Sequence, residues 1–306
     1  MSAAVPDRPT TEIRSVLVYG ATGAQARPVA RHLLADGLAV RVLTRDPARA
    51  GDLAGLGAEV VTGDFTDPAS LHAASRGMDG VFLLVPFFDP DADYGRAAID
   101  AAAGAGVRLV VWNPTGAIPP ARTGNPGIDV RLDVLAHLRA SGVPHVVVEP
   151  TLYLENFLGP WTAPSVARDG VFTYPVPPEV VMQPITHEDV AAFVAAAFHR
   201  PGLANLVLPV AGPERLTGPE IAGRFARALG RPVTFRPLLP RQFGAHFDAL
   251  HGPGAGDAIA TAYESVWDDP GLLSTDVDAR AALAVLPIRP TTVEQWVRRN
   301  AAAFTA

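Results

Sequence analysis

The residues with the clearest chemical meaning form a glycine-containing segment near the start of the chain. The apolar residues 16–19 run directly into Gly-Ala-Thr-Gly-Ala-Gln-Ala at 20–26, and a helix-like segment follows. Glycine lets a backbone approach a phosphate closely, and the first turn of a helix offers free N–H groups and the positive end of its dipole. Ala26 occupies a position where the dinucleotide-binding fingerprint allows Gly or Ala. The segment therefore predicts a pyrophosphate site formed by Gly20, Thr22, Gly23, Ala24, Gln25 and Ala26.

Beyond this segment, strand-like apolar runs alternate with helix-like segments. Val29, Leu33 and Leu34 recur at the spacing of one helix face, and Gly37 follows as a stop signal. Further strand-like runs cover residues 38–44, 59–62, 80–85, 107–112 and 145–148. Strict alternation of strands and helices predicts a Rossmann-like α/β fold, with a doubly wound parallel sheet and right-handed crossovers.

The pattern changes after about residue 150, where prolines interrupt the chain and aromatic residues become frequent. We interpret this part as a smaller C-terminal substrate-binding region. The predicted division is a flexible tail at 1–13, a dinucleotide-binding domain at 14–150 to which 184–212 returns, and a substrate-binding region at 151–183 and 213–306.

Composition excludes several classes of site. The 306 residues include no cysteine, which excludes disulfides, thiolate nucleophiles and Cys-ligated zinc. The net charge is −6 and no basic run occurs, so nucleic acid is not an expected partner. No apolar run reaches the roughly 18 residues of a membrane span, and the first dozen residues lack the apolar core of a signal peptide. These features predict a cytoplasmic protein without a membrane partner. The expected state is a monomer or a homodimer, which these features do not decide.

Arg45 bears on the choice of dinucleotide. It ends the second predicted strand, where an NAD-binding site would place an acidic residue against the ribose 2′-hydroxyl. An arginine there accommodates the 2′-phosphate of NADP, so the sequence favours NADP(H). The alternative is that Arg45 is a solvated loop residue. Asp46 precedes Pro47 and is interpreted as the cap of its own helix.

Six segments together carry a resemblance to a known family. They are Gly-Ala-Thr-Gly at 20–23, Thr-Arg-Asp-Pro at 44–47, Gly-Asp-Phe at 63–65, Tyr-Leu-Glu-Asn-Phe at 153–157, and residues 185–191 and 216–230. In these segments the chain resembles the NmrA-like branch of the atypical short-chain dehydrogenases/reductases, and within it the bacterial quinone and triphenylmethane reductases. The resemblance implies a Rossmann domain that binds NADP(H) and a small C-terminal region that closes over the substrate.

The resemblance also implies further cofactor contacts. Asp64 matches the family position beside the adenine, although it could equally cap the turn before Asp67 and Pro68. The remaining candidates for cofactor binding are Phe65, Val85, Pro86, Asn113 and Arg131.

The usual proton donor of the wider family is missing. Typical short-chain dehydrogenases use Tyr-x-x-x-Lys, in which the tyrosine donates a proton and the lysine lowers its pKa. Gly127 and Arg131 stand at these two positions, and Asn113 replaces the serine after the fifth strand. Because Arg131 shares an apolar helix stripe with Ile128 and Leu135, its charge needs a partner such as the cofactor. Alternatively, the side chain extends to water. Asn113 and Arg131 are nevertheless candidate catalytic residues.

Tyr153 is the third catalytic candidate. It follows the sixth predicted strand, at the carboxyl edge where ligands bind in such sheets, and it could replace the missing acid or form a pocket wall. The predicted pocket residues are Phe87, Phe88, Tyr153, Phe157, Trp161 and Phe247, and they favour a flat aromatic substrate.

His187 and Glu188 resemble half of a zinc motif. The second histidine is absent because residue 191 is Ala, so no metal is expected. The segment from Thr186 to Asp189 is better interpreted as a capping box that opens a helix over 190–198.

Two main interpretations of function follow. The first is an NADP(H)-dependent oxidoreductase that reduces an aromatic or conjugated carbonyl or a quinone. The second is a non-catalytic NADP-binding regulator, which the missing Tyr and Lys favour; redox-neutral chemistry on the same fold is a third possibility. The aromatic residues after about residue 150 favour the reductase.

Overall fold

The computed structural model describes residues 12–86, 91–270 and 277–305, and they belong to two compact units. The first unit draws on Met1–Pro114, Val130–Val148 and Ala191–Leu208. The second draws on Thr115–Asp129, Glu149–Val190 and Pro209–Ala306. The segment predicted to return to the dinucleotide-binding domain, 184–212, therefore contributes residues 191–208 to the first unit.

A seven-stranded sheet has the order β3-β2-β1-β4-β5-β6-β9. The adjacent pairs from β3 to β6 are all parallel. Its strands are β1 Ser15–Tyr19, β2 Ala39–Thr44, β3 Glu59–Thr62, β4 Gly80–Leu83, β5 Leu109–Trp112, β6 His145–Pro150 and β9 Leu206–Val210. The strand order reverses between β1 and β4, which creates the switch point where such sheets bind ligands. The predicted Rossmann-like fold is confirmed.

Helices connect these strands and continue into the second unit. They are α1 Ala26–Ala35, α2 Gly51–Gly55, α3 Pro68–Ser75, α4 Ala92–Gly104, α5 Pro126–Ala140, α6 Ala163–Asp169, α7 His187–Phe198, α8 Gly218–Leu229, α9 Pro240–His251, α10 Asp257–Asp268, α11 Arg280–Val285 and α12 Val293–Arg299. Local sequence explains several ends: Asp67 caps α3 through the N–H groups of Ala69 and Ser70, and Gly37 adopts a left-handed φ of 83° just after α1.

The second unit contains two small sheets and an aromatic core. Strand β8 Val181–Met182 pairs antiparallel with β10 Leu216–Thr217, and β7 Val171–Tyr174 pairs parallel with β11 Thr234–Pro237. Phe157 lies in this core on a 3-10 helix, Leu154–Leu158. Arg231 braces the core by donating Nη2–H to the carbonyls of Val166, at 2.6 Å, and Phe304, at 2.8 Å.

Candidate functional site

The glycine turn lies where β1 ends, at the switch point of the sheet. Gly20 has a φ of 71°, and the N–H of Gly23 donates to the carbonyl of Gly20 at 2.8 Å. A Cβ on Gly23 would lie only 3.3 Å from that carbonyl oxygen. Gln25 precedes α1 without a side-chain hydrogen bond to the first turn of the helix, and Gly23 and Ala24 are exposed. A compact, accessible turn leading into a helix without a side-chain cap fits a pyrophosphate.

Arg27 braces this turn, and sequence reasoning missed it. Its Nη1 lies 2.5 Å from Asp52 Oδ1, and its Nη2 donates to the carbonyl of Arg49 at 2.9 Å. These contacts join α1 to the segment that follows β2. Arg49 and Asp52 lie 22 and 25 residues after Arg27 in the sequence, so no local sequence pattern predicts these contacts.

Arg45 and Asp64 follow neighbouring strands, β2 and β3, and the structure brings them together. Arg45 Nε lies 3.6 Å from Asp64 Oδ2, while the arginine side chain is 83% exposed. Asp64 also accepts hydrogen bonds from the backbone and hydroxyl of Thr66, at 2.8 and 2.7 Å, which hold the pKa of its carboxyl below the usual range, with help from Arg45. Asp64 therefore caps the turn and faces Arg45. The weak, exposed ion pair leaves Arg45 available to a phosphate.

Phe65 is held by other aromatic rings. Its ring stacks with Tyr19, at a centroid distance of 5.2 Å, and with Tyr94, at 5.7 Å. Because Tyr19 and Tyr94 stack on the Phe65 ring, this residue is suited to forming a wall of the site. Its contact with the cofactor stays a prediction.

The other cofactor candidates of the first unit follow the carboxyl ends of β4 and β5 or lie on α5. Val85 is half-buried and Pro86 is exposed, just after β4. Asn113 is buried directly after β5, and its backbone N–H donates to the carbonyl of Leu83 at 3.1 Å. Arg131 is half-buried on α5, as expected for a charge beside an apolar stripe. Their roles in binding or catalysis stay predictions.

Tyr153 lies in the second unit, where its surroundings are well defined. Its side chain is buried, and the backbone at Tyr153 forms a parallel bridge with Ile185. The ring of His187 packs against the tyrosine ring at a centroid distance of 4.5 Å and an angle of 67°. The fold thus joins two of the segments that carried the family resemblance, 153–157 and 185–191.

The aromatic pocket candidates divide into two groups. Trp161 stacks on Phe247 at 5.0 Å and packs edge-on against Phe243 at 4.9 Å. Phe157, in contrast, is completely buried and contacts other core residues. This burial favours a core role, and the predicted pocket role stays a prediction. Phe87 and Phe88 lie outside the described residues.

Glu155 is a titratable residue of the segment 153–157, and the sequence predicts no role for it. Burial raises the pKa of its carboxyl to about 7 although the N–H of His187 donates to Oε2 at 3.1 Å. Burial lowers the pKa of the His187 imidazole to about 4, so this ring is neutral at pH 7. In the sequence, the one sign of a titratable group here is an acidic residue two positions after Tyr153.

The capping prediction at α7 is correct in part. The Thr186 hydroxyl accepts a hydrogen bond from the N–H of Asp189 at 2.8 Å, as in a capping box. The Asp189 carboxylate instead binds the N–H and hydroxyl of Thr291, at 2.9 and 3.0 Å. The helix begins at His187 instead of the predicted residue 190.

The model of the NmrA-like family matches residues 12–296. The chain belongs to the NmrA-like family. A curated relative, the NAD(P)H azoreductase of Xenophilus azovorans, is 30% identical over 296 residues, which cover 95% of this chain and 99% of the relative.

Solved structures of two reductases share the fold. An NADPH-dependent quinone oxidoreductase of Escherichia coli has a TM-score of 0.77 and 25% identity, with coverage of 93% of this chain and 99% of that chain. The triphenylmethane reductase of a Citrobacter species, solved with NADP(H), has a TM-score of 0.78 and 19% identity, with coverage of 94% and 99%. The predicted family is confirmed, and the names of these proteins agree with the predicted cofactor and enzyme class.

Neither a metal cluster nor a membrane-spanning helix occurs among the described residues. No group of at least three His, Cys, Asp or Glu residues among them could hold a metal ion. Within the same residues, none of the helices combines the length and apolar character that a membrane crossing requires.

Proposed function

We propose that the protein is an NADPH-dependent reductase of an aromatic or conjugated carbonyl compound or a quinone. The observation that carries the proposal is the glycine turn from Gly20 to Gly23 at the switch point of the sheet. The azoreductase relationship, which spans 95% of the chain, supports a reductase. Dihydronicotinamide would supply the hydride, while the protein binds and orients the reactants. The cytoplasmic location and the monomeric or dimeric state stay predictions.

The residues of each unit have distinct tasks in this proposal. The glycine turn and the first turn of α1 bind the pyrophosphate, and Arg45 binds the 2′-phosphate. Asn113 and Arg131 orient the cofactor, since a guanidinium stays protonated and cannot act as an acid. The stacked rings of Trp161 and Phe247 suit a flat apolar substrate.

Replacing Arg45 by alanine is expected to weaken NADPH binding about tenfold and to leave NADH binding nearly unchanged. The exposed guanidinium forms a weak ion pair with Asp64, at 3.6 Å, and the 2′-phosphate, which NADH lacks, offers it a further anion. Calorimetric titration with both nucleotides measures the difference. Arg49→Ala, at another exposed arginine of the same segment, is the control. Equal losses for NADPH and NADH in Arg45→Ala would eliminate the 2′-phosphate contact.

Tyr153→Phe is expected to lower the rate of NADPH oxidation with a quinone by a factor of about 100, because general acid catalysis contributes on the order of 10²–10⁴. The ring remains, so its packing against His187 is kept. Binding of NADPH should not change. A variant as fast as the wild type would show that Tyr153 is only a wall of the pocket.

A further inference from the structure

The aromatic residues around Trp161 differ from those in the core of the second unit. The core rings of Phe157 and Phe225 are completely buried. Trp161 and His246 are only half-buried, and their rings lie 6.4 Å apart between centroids. Each of these two side chains carries ring nitrogen that can form hydrogen bonds. This group therefore lies at the edge of the core and combines an apolar surface with polar atoms, as a site for an aromatic ligand requires.

The indole N–H of Trp161 is buried without a hydrogen-bond partner. Within the part of the chain that the structure describes, no group accepts a hydrogen bond from Nε1. The indole of Trp267, in the same unit, has an acceptor, because its Nε1 donates to the carbonyl of Pro175 at 3.0 Å. A buried donor without an acceptor destabilises the folded protein. A ligand that supplies the acceptor removes this cost and gains affinity from it.

The surrounding contacts fix the position of the indole. The Trp161 carbonyl accepts a hydrogen bond from the Thr173 hydroxyl, and the Thr162 hydroxyl donates to the Thr173 carbonyl at 2.5 Å. Phe247 stacks on the indole ring at a centroid distance of 5.0 Å. On the edge that carries Cε2 and Cζ2, a Cβ added to Gly159 would lie only 2.4 Å from both atoms. The N–H thus has a fixed direction before a ligand binds, which lowers the entropic cost of binding.

The position of the N–H limits which acceptor atoms can reach it. Nε1 is bonded to Cε2, so it lies on the indole edge that packs against Gly159. Gly159 is half-buried, and its neighbours Leu158 and Pro160 are exposed, so the path from the surface is short. A buried nitrogen is accessible only to a narrow, terminal atom. A carbonyl oxygen projects beyond its ring and has two lone pairs, whereas each azo nitrogen is flanked by an aryl group. The geometry therefore favours a carbonyl acceptor over an azo compound.

We propose that Trp161 determines acceptor specificity, and that its Nε1–H donates a hydrogen bond to a carbonyl oxygen of a quinone. The inference rests on the proposed reductase function and deepens it by selecting the quinone among the possible acceptors. Trp161 binds the acceptor and transfers no proton to it.

The first test compares the kinetics of Trp161→Phe with those of the wild type. The variant keeps an aromatic ring and loses the N–H. Its KM for 1,4-naphthoquinone should rise about fivefold with kcat unchanged, because the same hydrogen bond is present in the ground state and the transition state. Azobenzene, used as a competitive inhibitor, should inhibit both proteins equally. Trp267→Phe removes an indole that already has an acceptor, and it should keep the wild-type KM.

Gly159→Ala tests the same site with the indole N–H still present. Gly159 has a φ of −66°, which alanine adopts without strain, so the clash of the new methyl group with the indole is the main effect. Displacement of the ring should raise the KM for 1,4-naphthoquinone at least about fivefold. A wild-type KM in either Trp161→Phe or Gly159→Ala would overturn the inference and leave the reductase function intact.

A direct readout of the hydrogen bond does not depend on turnover. In ¹H–¹⁵N NMR of the complex with NADP⁺, the four tryptophans give four indole signals, and the one missing in Trp161→Phe belongs to Trp161. Addition of 1,4-naphthoquinone should move this signal downfield, while the Trp267 signal stays in place. Naphthalene has the same ring system without the oxygens and gives the effect of the ring alone.

The NMR result separates the two proposals. Equal shifts of the Trp161 signal with naphthoquinone and naphthalene would overturn the hydrogen bond, even in an active reductase. A downfield shift that only the quinone causes supports the hydrogen bond. If the same protein oxidises no NADPH with any quinone, the reductase function fails while the binding site remains.

Discussion

Replacing Gly20 by alanine is expected to weaken NADPH binding at least about tenfold. Gly20 has a φ of 71°, where an L-residue is strained by about 1–2 kcal/mol. The new methyl group would touch Leu84 at 3.4 Å, an ordinary contact, so backbone strain is the main effect. Relief of that strain rotates the turn and displaces the N–H groups that face the pyrophosphate. Calorimetric titration with NADPH measures the loss, and tenfold corresponds to about 1.4 kcal/mol.

Gly37→Ala is the matched control for this variant. Gly37 has a φ of 83°, and among the described residues an added methyl group would meet no atom within 4 Å. Its alanine variant therefore bears the same kind of strain away from the turn. Urea unfolding should show similar stability losses in both variants, while only Gly20→Ala should lose affinity. Equal NADPH affinities of the Gly20→Ala and Gly37→Ala variants would show that the pyrophosphate does not bind at the glycine turn.

Replacing Phe157 by alanine is expected to lower the free energy of unfolding by about 3–5 kcal/mol. Its ring is completely buried and meets the rings of Phe172, Tyr174 and Phe225 at centroid distances of 4.9, 5.2 and 6.3 Å. The cavity left by alanine would remove these contacts from the core of the second unit. Urea unfolding followed by circular dichroism measures the change.

The neighbouring residue gives the control for Phe157. Leu158 is 38% exposed on the same 3-10 helix, and Leu158→Ala should cost less than about 1 kcal/mol. A small stability loss in Phe157→Ala, combined with a raised KM for a quinone, would contradict the core role and favour the predicted pocket role.

Local sequence patterns were sufficient to predict the Rossmann-like fold, although Thr115–Asp129, inside the predicted domain at 14–150, belongs to the second unit. The segment from Val16 to Ala26 encodes a strand, a turn and a helix within a few residues, and parallel strands with short connections follow from strict alternation. The cap formed by Asp46 before Pro47 is equally local: its side chain accepts the N–H of Ala48 at 3.0 Å.

The second unit was harder to predict because its interactions are distant in sequence. Strand β7 pairs with β11 more than 60 residues later, and each has only four residues, too few for a clear periodic pattern. Glu155 reveals its chemistry only through burial and through His187, which lies 32 residues away. Asp189 was assigned to a local capping box, but its carboxylate binds Thr291, 102 residues away.

The central claim is that the protein binds NADPH and transfers its hydride to an aromatic acceptor. The most direct measurement is NADPH oxidation, followed by the absorbance of the reduced nicotinamide, with a panel of quinones and polycyclic ketones. Calorimetric binding of NADPH is measured in parallel. The account predicts tight NADPH binding and acceptor-dependent oxidation. Binding without turnover over the whole panel would contradict the reductase and favour an NADP-binding regulator; absence of binding would contradict the cofactor site itself.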